Sequence, residues 1–358
     1  MKGYKKFLNE LAQLAIPLVA LSILIVFNLF RDPSFFSIGV AVNNSGNQVL
    51  TGNLISIIDS ASELAIISMG MTLVTAACGG QDISVGAVGA IAGAVFVKVL
   101  LAAPSITVGV VILAVILCCL AAIAFKLFNG TLVAVFKIQP MIATLILFSC
   151  GRSIAYWING DATPQINSPI ISSMGMTIPG IPIPTPIFAV LLVGLLMYLI
   201  FRLTNTSLYT QTVGINQGAA RLNGINPVLI KLLSFVLLGI CVAIASVIGV
   251  SRMGNLSHKT LLVDIEMDAI LAVAIGGNSL GGGKFRMSGS ILGAYIIQML
   301  TTTLNAMNVP SENIKTYKAI VIIIIVVAGA PVIKKKLEEI RNKRRTANVQ
   351  SAARKEVG

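Results

Sequence analysis

The chain has 358 residues, of which 56% are hydrophobic and 11% charged, with a formal net charge of +13. Soluble domains carry roughly 25% charged residues, so this composition excludes an ordinary water-soluble globule and makes lipid the solvent for most of the chain. The apolar residues run unbroken for close to the about 20 residues that a spanning helix needs, without the alternation of a membrane β-barrel. The predicted fold class is all-α: a polytopic membrane protein with about ten transmembrane helices.

Ten apolar segments follow in chain order, at 11–30, 53–78, 83–102, 106–128, 141–158, 186–201, 228–250, 261–277, 287–307 and 314–330. The first follows Lys2, Lys5 and Lys6 but has no small-residue cleavage site behind it, so it reads as a retained helix and not as a signal peptide. The fourth and fifth are open to a break or a tilt. The transmembrane domain is thus 11–330, between an amino-terminal segment 1–10 and a basic tail 331–358.

Orientation follows from Lys and Arg. With the amino terminus in the cytoplasm, Lys2, Lys5, Lys6, Lys126, Lys137, Arg202, Arg221, Lys231, Lys284, Arg286 and nine tail residues fall inside, which is 19. Arg31, Lys98, Arg152, Arg252, Lys259, Lys315 and Lys318 fall outside, which is 7. That asymmetry predicts both termini cytoplasmic and an even number of spans. The same clustering reads as a topology signal and not as a nucleic-acid footprint.

Two connections are long. The external stretch 159–185 contains Pro164, Pro169, Pro182 and Pro184, which predicts an ordered, non-helical surface loop. The cytoplasmic stretch 202–227 contains a polar segment in which Gln217–Leu222 reads as a short helix stopped by Gly224. Such an element is either a docking helix or an ordinary inter-helix loop.

Cys78, Cys118, Cys119, Cys150 and Cys241 lie in or beside apolar runs with no C-x-x-C pair, and His258 is the single histidine. Small packing residues are the expected role, and neither a metal nor a disulfide framework is predicted. The pairs Gly89–Gly93 and Gly289–Gly293 place two bare positions one turn apart, which permits close helix approach. Gly281, Gly282, Gly283 and Lys284 fail as a phosphate-binding loop, because Asn278 and Phe285 stand where that pattern needs Gly and Ser or Thr. No cofactor site is therefore expected in this chain.

Charges within or beside the spans are Asp59, Glu63, Lys98, Arg152, Asp264, Glu266 and Asp268. Glu63 is the deepest of these in the sequence, and it is either a pathway residue or an interhelical or interfacial charge. Among uncharged polar residues, Gln139, Thr144, Ser149, Gln298, Thr301, Thr302 and Asn305 suit a passage for a hydroxylated solute. Gln298, Thr301, Thr302 and Asn305 share one helix face, which either packs on a neighbour or lines a pore.

Four stretches carry a resemblance: GMTLVTAACGGQDISVGAVGAIAGA from Gly70, NGTLVAVFKIQPMIATLILFSCGRSIAYWING from Asn129, VGINQGAARLNGIN from Val213 and EMDAILAVAIGGNSLGGGKFRMSGSILGAYIIQ from Glu266. In that order they resemble the permeases of bacterial sugar ABC importers, the ribose, galactose and galactofuranose permease family, over roughly 59–330.

The resemblance implies a multi-pass protein of the bacterial cytoplasmic membrane that moves a monosaccharide by alternating access. It implies ATP and magnesium in two partner ATPase subunits or one fused tandem ATPase, a second permease chain, and an external sugar-binding protein. Gly214, Asn216, Ala219, Ala220, Arg221 and Gly224 are similar to the small-residue core of the loop through which importer permeases contact their ATPases. Gly218 stands where that loop has an acidic residue. Gly79, Gly80 and Asp82 match the family's GG-x-D-x-S-x-G segment, with Gln81 in place of an aliphatic residue, so Asp82 joins Glu63, Gln139, Thr144, Gln298, Thr301 and Asn305 as candidate pathway or gating residues. The alternatives are a permease for a nucleoside or signalling sugar derivative, and an ion-coupled secondary transporter.

Overall fold

The computed structural model describes residues 14–42, 48–160 and 163–329. The expected amino-terminal segment 1–10 and basic tail 331–358 lie outside the described residues. The chain forms α1 (Ala15–Arg31), β1 (Gly39–Val42), β2 (Gln48–Thr51), α2 (Asn53–Ser60), α3 (Ser62–Cys78), α4 (Val85–Ala102), α5 (Val108–Ala134), α6 (Pro140–Asn159), α7 (Pro169–Gly175), α8 (Thr185–Leu203), α9 (Thr206–Ile215), α10 (Gln217–Leu222), α11 (Pro227–Met253), α12 (Ile265–Ile275), α13 (Met287–Ala306) and α14 (Ser311–Gly329).

Among the described residues, six helical stretches are long and apolar enough to cross a membrane: 53–78 with α2 and α3 together, α4, α5, α6, α8 and α11. The fourth and fifth predicted segments are unbroken helices of 27 and 20 residues. The eighth, 261–277, is a correction. Its helix α12 has 11 residues, about 16 Å of rise against a hydrocarbon core of about 30 Å. Its first residues are irregular chain, with Leu262 and Asp264 at φ 50° and 61°.

Helix ends follow local chemistry. Gly79 (φ 63°) and Gly254 (φ 64°) adopt the left-handed conformation that ends α3 and α11, where a Cβ would be strained. Pro227 opens α11 while the Asn226 side chain accepts hydrogen bonds from the N–H groups of Val228 (3.0 Å) and Leu229 (3.3 Å).

Helix α11 is the hub, packing on α3, α5 and α4. Helix α3 is buried on every side from Leu64 to Ala77, as expected of a helix enclosed by others, with Ser68, Thr72 and Thr75 among its buried residues. Helices α5, α6 and α8 form the rim, exposing Ile112, Ile116, Ile142, Ile146, Leu191 and Leu195 on faces suited to lipid. The glycine pairs work as close-approach positions. A Cβ on Gly293 would strike the backbone of Ala272, one on Gly276 would strike that of Gly289, and Ser246 Oγ donates to Gly89 O at 2.6 Å.

Two features depart from expectation. An antiparallel hairpin pairs Gly39 with Thr51 and Val42 with Gln48, where no strand was predicted. The stretch 159–185, expected to be a non-helical loop, is not wholly non-helical either. Pro169 opens the short helix α7, because proline at a first helical position removes an N–H that has no partner anyway. Leu50 N–H donates to Pro182 O at 3.0 Å, which ties the hairpin to that stretch.

Candidate functional site

The candidate polar residues gather at opposite ends of α3, which at 17 residues is about 25 Å long. At its carboxyl end, α9 and α10 form the element expected from the sequence, and α10 has the predicted limits Gln217–Leu222. Asn216 caps it by accepting from Ala219 N–H at 3.1 Å, and Gly224 (φ 75°) turns the chain away. Ala220 is buried with Val213 and Ile230 in a small core beneath, whereas Ala219 and Arg221 are exposed. Ile215 and Leu222 present 75% and 92% of their surface, leaving apolar side chains on a polar element.

This element is locked to two glycine loops. Gly214 is pressed so closely on Ala76 O and Gly283 N that no Cβ fits, and Gly283 N–H donates to Ala76 O at 3.0 Å. A Cβ on Gly79 would lie 2.8 Å from Gly281 O. The Gly281–Gly283 run therefore serves contact between backbones.

The second glycine loop leads into a fully buried network. Lys126 Nζ lies 2.8 Å from Asp82 Oδ2 and donates to Ser84 Oγ at 3.0 Å; Ser84 Oγ donates to Asp82 Oδ1 at 2.6 Å, and Asn129 Nδ2 donates to Ser84 Oγ at 2.9 Å. Lys126, counted from sequence among the cytoplasmic charges, is not at a surface: the Asp82 and Lys126 side chains have no exposed surface, because each neutralises the other. Thr144 Oγ1 accepts from Ile83 N–H at 3.2 Å in the same region. Gln139 is exposed ahead of Pro140, whose ring packs on Gly80.

At the amino end of α3 two cavities lie side by side. One, of about 470 Å³, is enclosed by the hairpin, α2 and the end of α7, with Asp59 and Arg252 in its wall. The other, of about 280 Å³, is lined by Glu63, Arg252, Asp268, Gln298 and residues 260–263. Glu63 and Gln298 thus meet in one cavity, together with Asp268, which pairs with Lys318 at 2.8 Å. On α13, Thr301 and Thr302 are half-buried and Asn305 is exposed, while Ile297, Leu300 and Thr303 are buried. The packed face of α13 is therefore the apolar one, and the polar stripe is turned away from it.

The seven candidate pathway residues do not form one cluster. Asp82, Gln139 and Thr144 belong to one end, and Glu63, Gln298, Thr301 and Asn305 to the other. Sequence reasoning missed Lys126 and Arg252 as site residues. A lone lysine inside the apolar run 106–128 was the available signal for the first; nothing local marks the second.

A family model described as branched-chain amino acid transport system / permease component matches residues 53–329. The chain belongs to this permease family. It is a transport subunit built of apolar helices, and every candidate residue lies in the matched region. The chain is 38% identical over 307 residues to the galactofuranose transporter permease of Escherichia coli strain K12, covering 86% of each. It is 34% identical over 347 residues to the fructose import permease of Bifidobacterium longum, covering 95% of this chain and 93% of that one. It is 32% identical to the ribose import permease of Escherichia coli strain K12 over 86% of this chain and 90% of that one. No solved structure matches.

Proposed function

We propose that this chain is the membrane permease of an ABC importer that carries a monosaccharide across the bacterial cytoplasmic membrane. The observation that carries the reading is that relatives aligned over 86–95% of the chain are permeases for galactofuranose, fructose and ribose. In this reading the chain crosses ten times, the eighth crossing made by the short helix α12 with the irregular chain on either side of it, so that both termini are cytoplasmic, 202–227 lies inside and 159–185 outside. Two ATPase subunits, or one fused tandem ATPase, bind the exposed side of α9 and α10 and use ATP with magnesium. A sugar-binding protein docks outside, and a second permease chain completes the pathway.

The arrangement supports alternating access. A ligand shifts a conformational equilibrium only through different affinity for its two states, so the docking element must move with the helices it controls. Its backbone contact with Ala76 and Gly283 gives it a rigid connection to α3 and to the loop before α13. Gln298, Thr301 and Asn305 offer exchangeable hydrogen bonds on a face not used for packing, as passage of a hydroxylated solute requires.

The test is uptake by cells. Deleting the chain should abolish uptake of at least one of labelled ribose, fructose or galactofuranose at micromolar concentration, and a plasmid copy should restore it. Unchanged uptake of all three, with loss of ATP-dependent uptake of an amino acid or nucleoside, would overturn the sugar assignment.

A further inference from the structure

The loop between α12 and α13, residues 276–286, meets the α9 and α10 element at Gly283, where Gly214 is pressed on Gly283 N. Further ties fix this loop in place. Gly283 N–H donates to Ala76 O at 3.0 Å, and Gln81 Nε2 donates to Leu280 O at 3.0 Å. Within the loop, the side chain of Asn278 is buried. Its Oδ1 accepts from Arg286 N–H at 2.6 Å, while Nδ2 reaches Arg286 O at 3.1 Å, Val273 O at 3.3 Å and Ser290 Oγ at 2.9 Å. Val273 O is one of the last carbonyls of α12, which find no N–H within their own helix, and Arg286 is the residue just ahead of α13. One carboxamide thus closes the end of one helix and the start of the next. Asparagine can do so because it carries donors and an acceptor on one short, planar group.

Helices α12 and α13 are also in backbone contact. Gly276 lies against the backbone of Gly289, and Gly293 against that of Ala272, each so closely that no Cβ fits. Such a fit leaves the two helices no room to shift independently. From Asn278 a line of buried hydroxyls continues into α3. Thr72 Oγ1 lies 2.7 Å from Ser290 Oγ and donates to Ser68 O at 2.6 Å, and all three residues lack exposed surface. Away from the loop, α12 and α13 carry Asp268 and Gln298 into the wall of the cavity of about 280 Å³.

We propose that Asn278 is the positioning residue that joins α12 and α13 into one lever, so that a displacement of α9 and α10 at Gly283 is delivered to Asp268 and Gln298 at the cavity. This rests on the import reading above, and it adds the residue by which movement driven by the ATPase subunits is passed on. Without the carboxamide, Arg286 N–H and Ser290 lose their partner. The loop then keeps the left-handed glycines Gly277, Gly282 and Gly283, at φ 80°, 90° and 77°, with no pin to hold them. A displacement at Gly283 is absorbed in the loop before it reaches either helix. Asn278 acts through the two helices and makes no contact with the solute, so its loss separates ATP use from transport.

The experiment compares uptake of labelled sugar with ATP hydrolysis in proteoliposomes holding the permease, its ATPase subunits and the sugar-binding protein, for wild type, Asn278→Ala and Asn278→Ser. The ratio of sugar moved to ATP hydrolysed does not depend on how much folded complex is present, so a merely structural defect leaves it unchanged. Asn278→Ala should lower that ratio about fivefold or more, the lower end of an ordinary coupling free energy, while hydrolysis continues. Asn278→Ser should lower it too, because one hydroxyl on a shorter stem cannot tie Val273 O, Arg286 N–H and Ser290 together. It also keeps a small polar side chain in the loop, so it decides the matter if Asn278→Ala yields no complex. A wild-type ratio in whichever variant assembles would overturn the proposal and leave the import reading standing. A wild type without ATP-dependent uptake of any sugar would overturn both.

Discussion

Lys126 Nζ and Asp82 Oδ2 lie 2.8 Å apart, and neither side chain has any exposed surface. The pair joins α5 to the loop between α3 and α4, where an unpaired charge has no water to turn to. Either Asp82→Asn or Lys126→Met alone should cost about 3–5 kcal/mol, because each leaves one buried charge without its partner. The double substitution should recover most of that loss. Thermal unfolding and membrane yield of the three variants provide the check; equal damage in single and double variants would show that the charge pairing does not govern stability here.

Ala219 and Ala220 are neighbours with opposite environments, one exposed and one buried with Val213 and Ile230. Ala220→Phe should destabilise the α9 and α10 element by about 1–3 kcal/mol through overpacking. Ala219→Phe should leave the melting temperature unchanged and weaken association with the ATPase subunits. Co-purification of those subunits with each variant separates the two effects, and full recovery with Ala219→Phe would remove that face from the docking surface.

Gly214→Ala should be more harmful to transport than its single added carbon suggests. The new methyl has to displace either Ala76 O or Gly283 N, which shifts α9 and α10 against α3. Uptake should fall well below wild type while basal ATP hydrolysis persists, as measured in one proteoliposome preparation. Uptake and hydrolysis reduced in the same proportion would contradict a role in transmission.

Gly224 has φ 75° with nothing within 4 Å of an added Cβ. Its requirement for glycine is therefore conformational and not steric. Gly224→Ala should cost about 1 kcal/mol from the left-handed backbone, and Gly224→Asn less, because Asn tolerates that region. Melting curves that order the variants the other way would show that side-chain space decides at this turn.

Much of this architecture was legible in the sequence because lipid imposes one simple rule, a run of about 20 apolar residues per crossing. That rule locates α4, α6, α8 and α11 to within a few residues. It fails at 261–277, because an apolar run says nothing of whether its first residues are helical, and here Leu262 and Asp264 take left-handed conformations instead. The short helix α10 was legible from its own signals, Asn216 ahead of it and Gly224 behind. The Asp82 and Lys126 pair and the contact of Arg252 with Glu63 were not, since their partners lie 44 and 189 residues away in the chain. Ion-pair partners at such separations leave no periodic mark.

The most direct test of the account measures sugar uptake and ATP hydrolysis together, in proteoliposomes holding this chain, its ATPase subunits and a sugar-binding protein, with no ion gradient. The account predicts that loaded binding protein raises both rates, and that uptake stops when internal ATP is withheld. Uptake without ATP, driven by an imposed proton or sodium gradient through this chain alone, would contradict it.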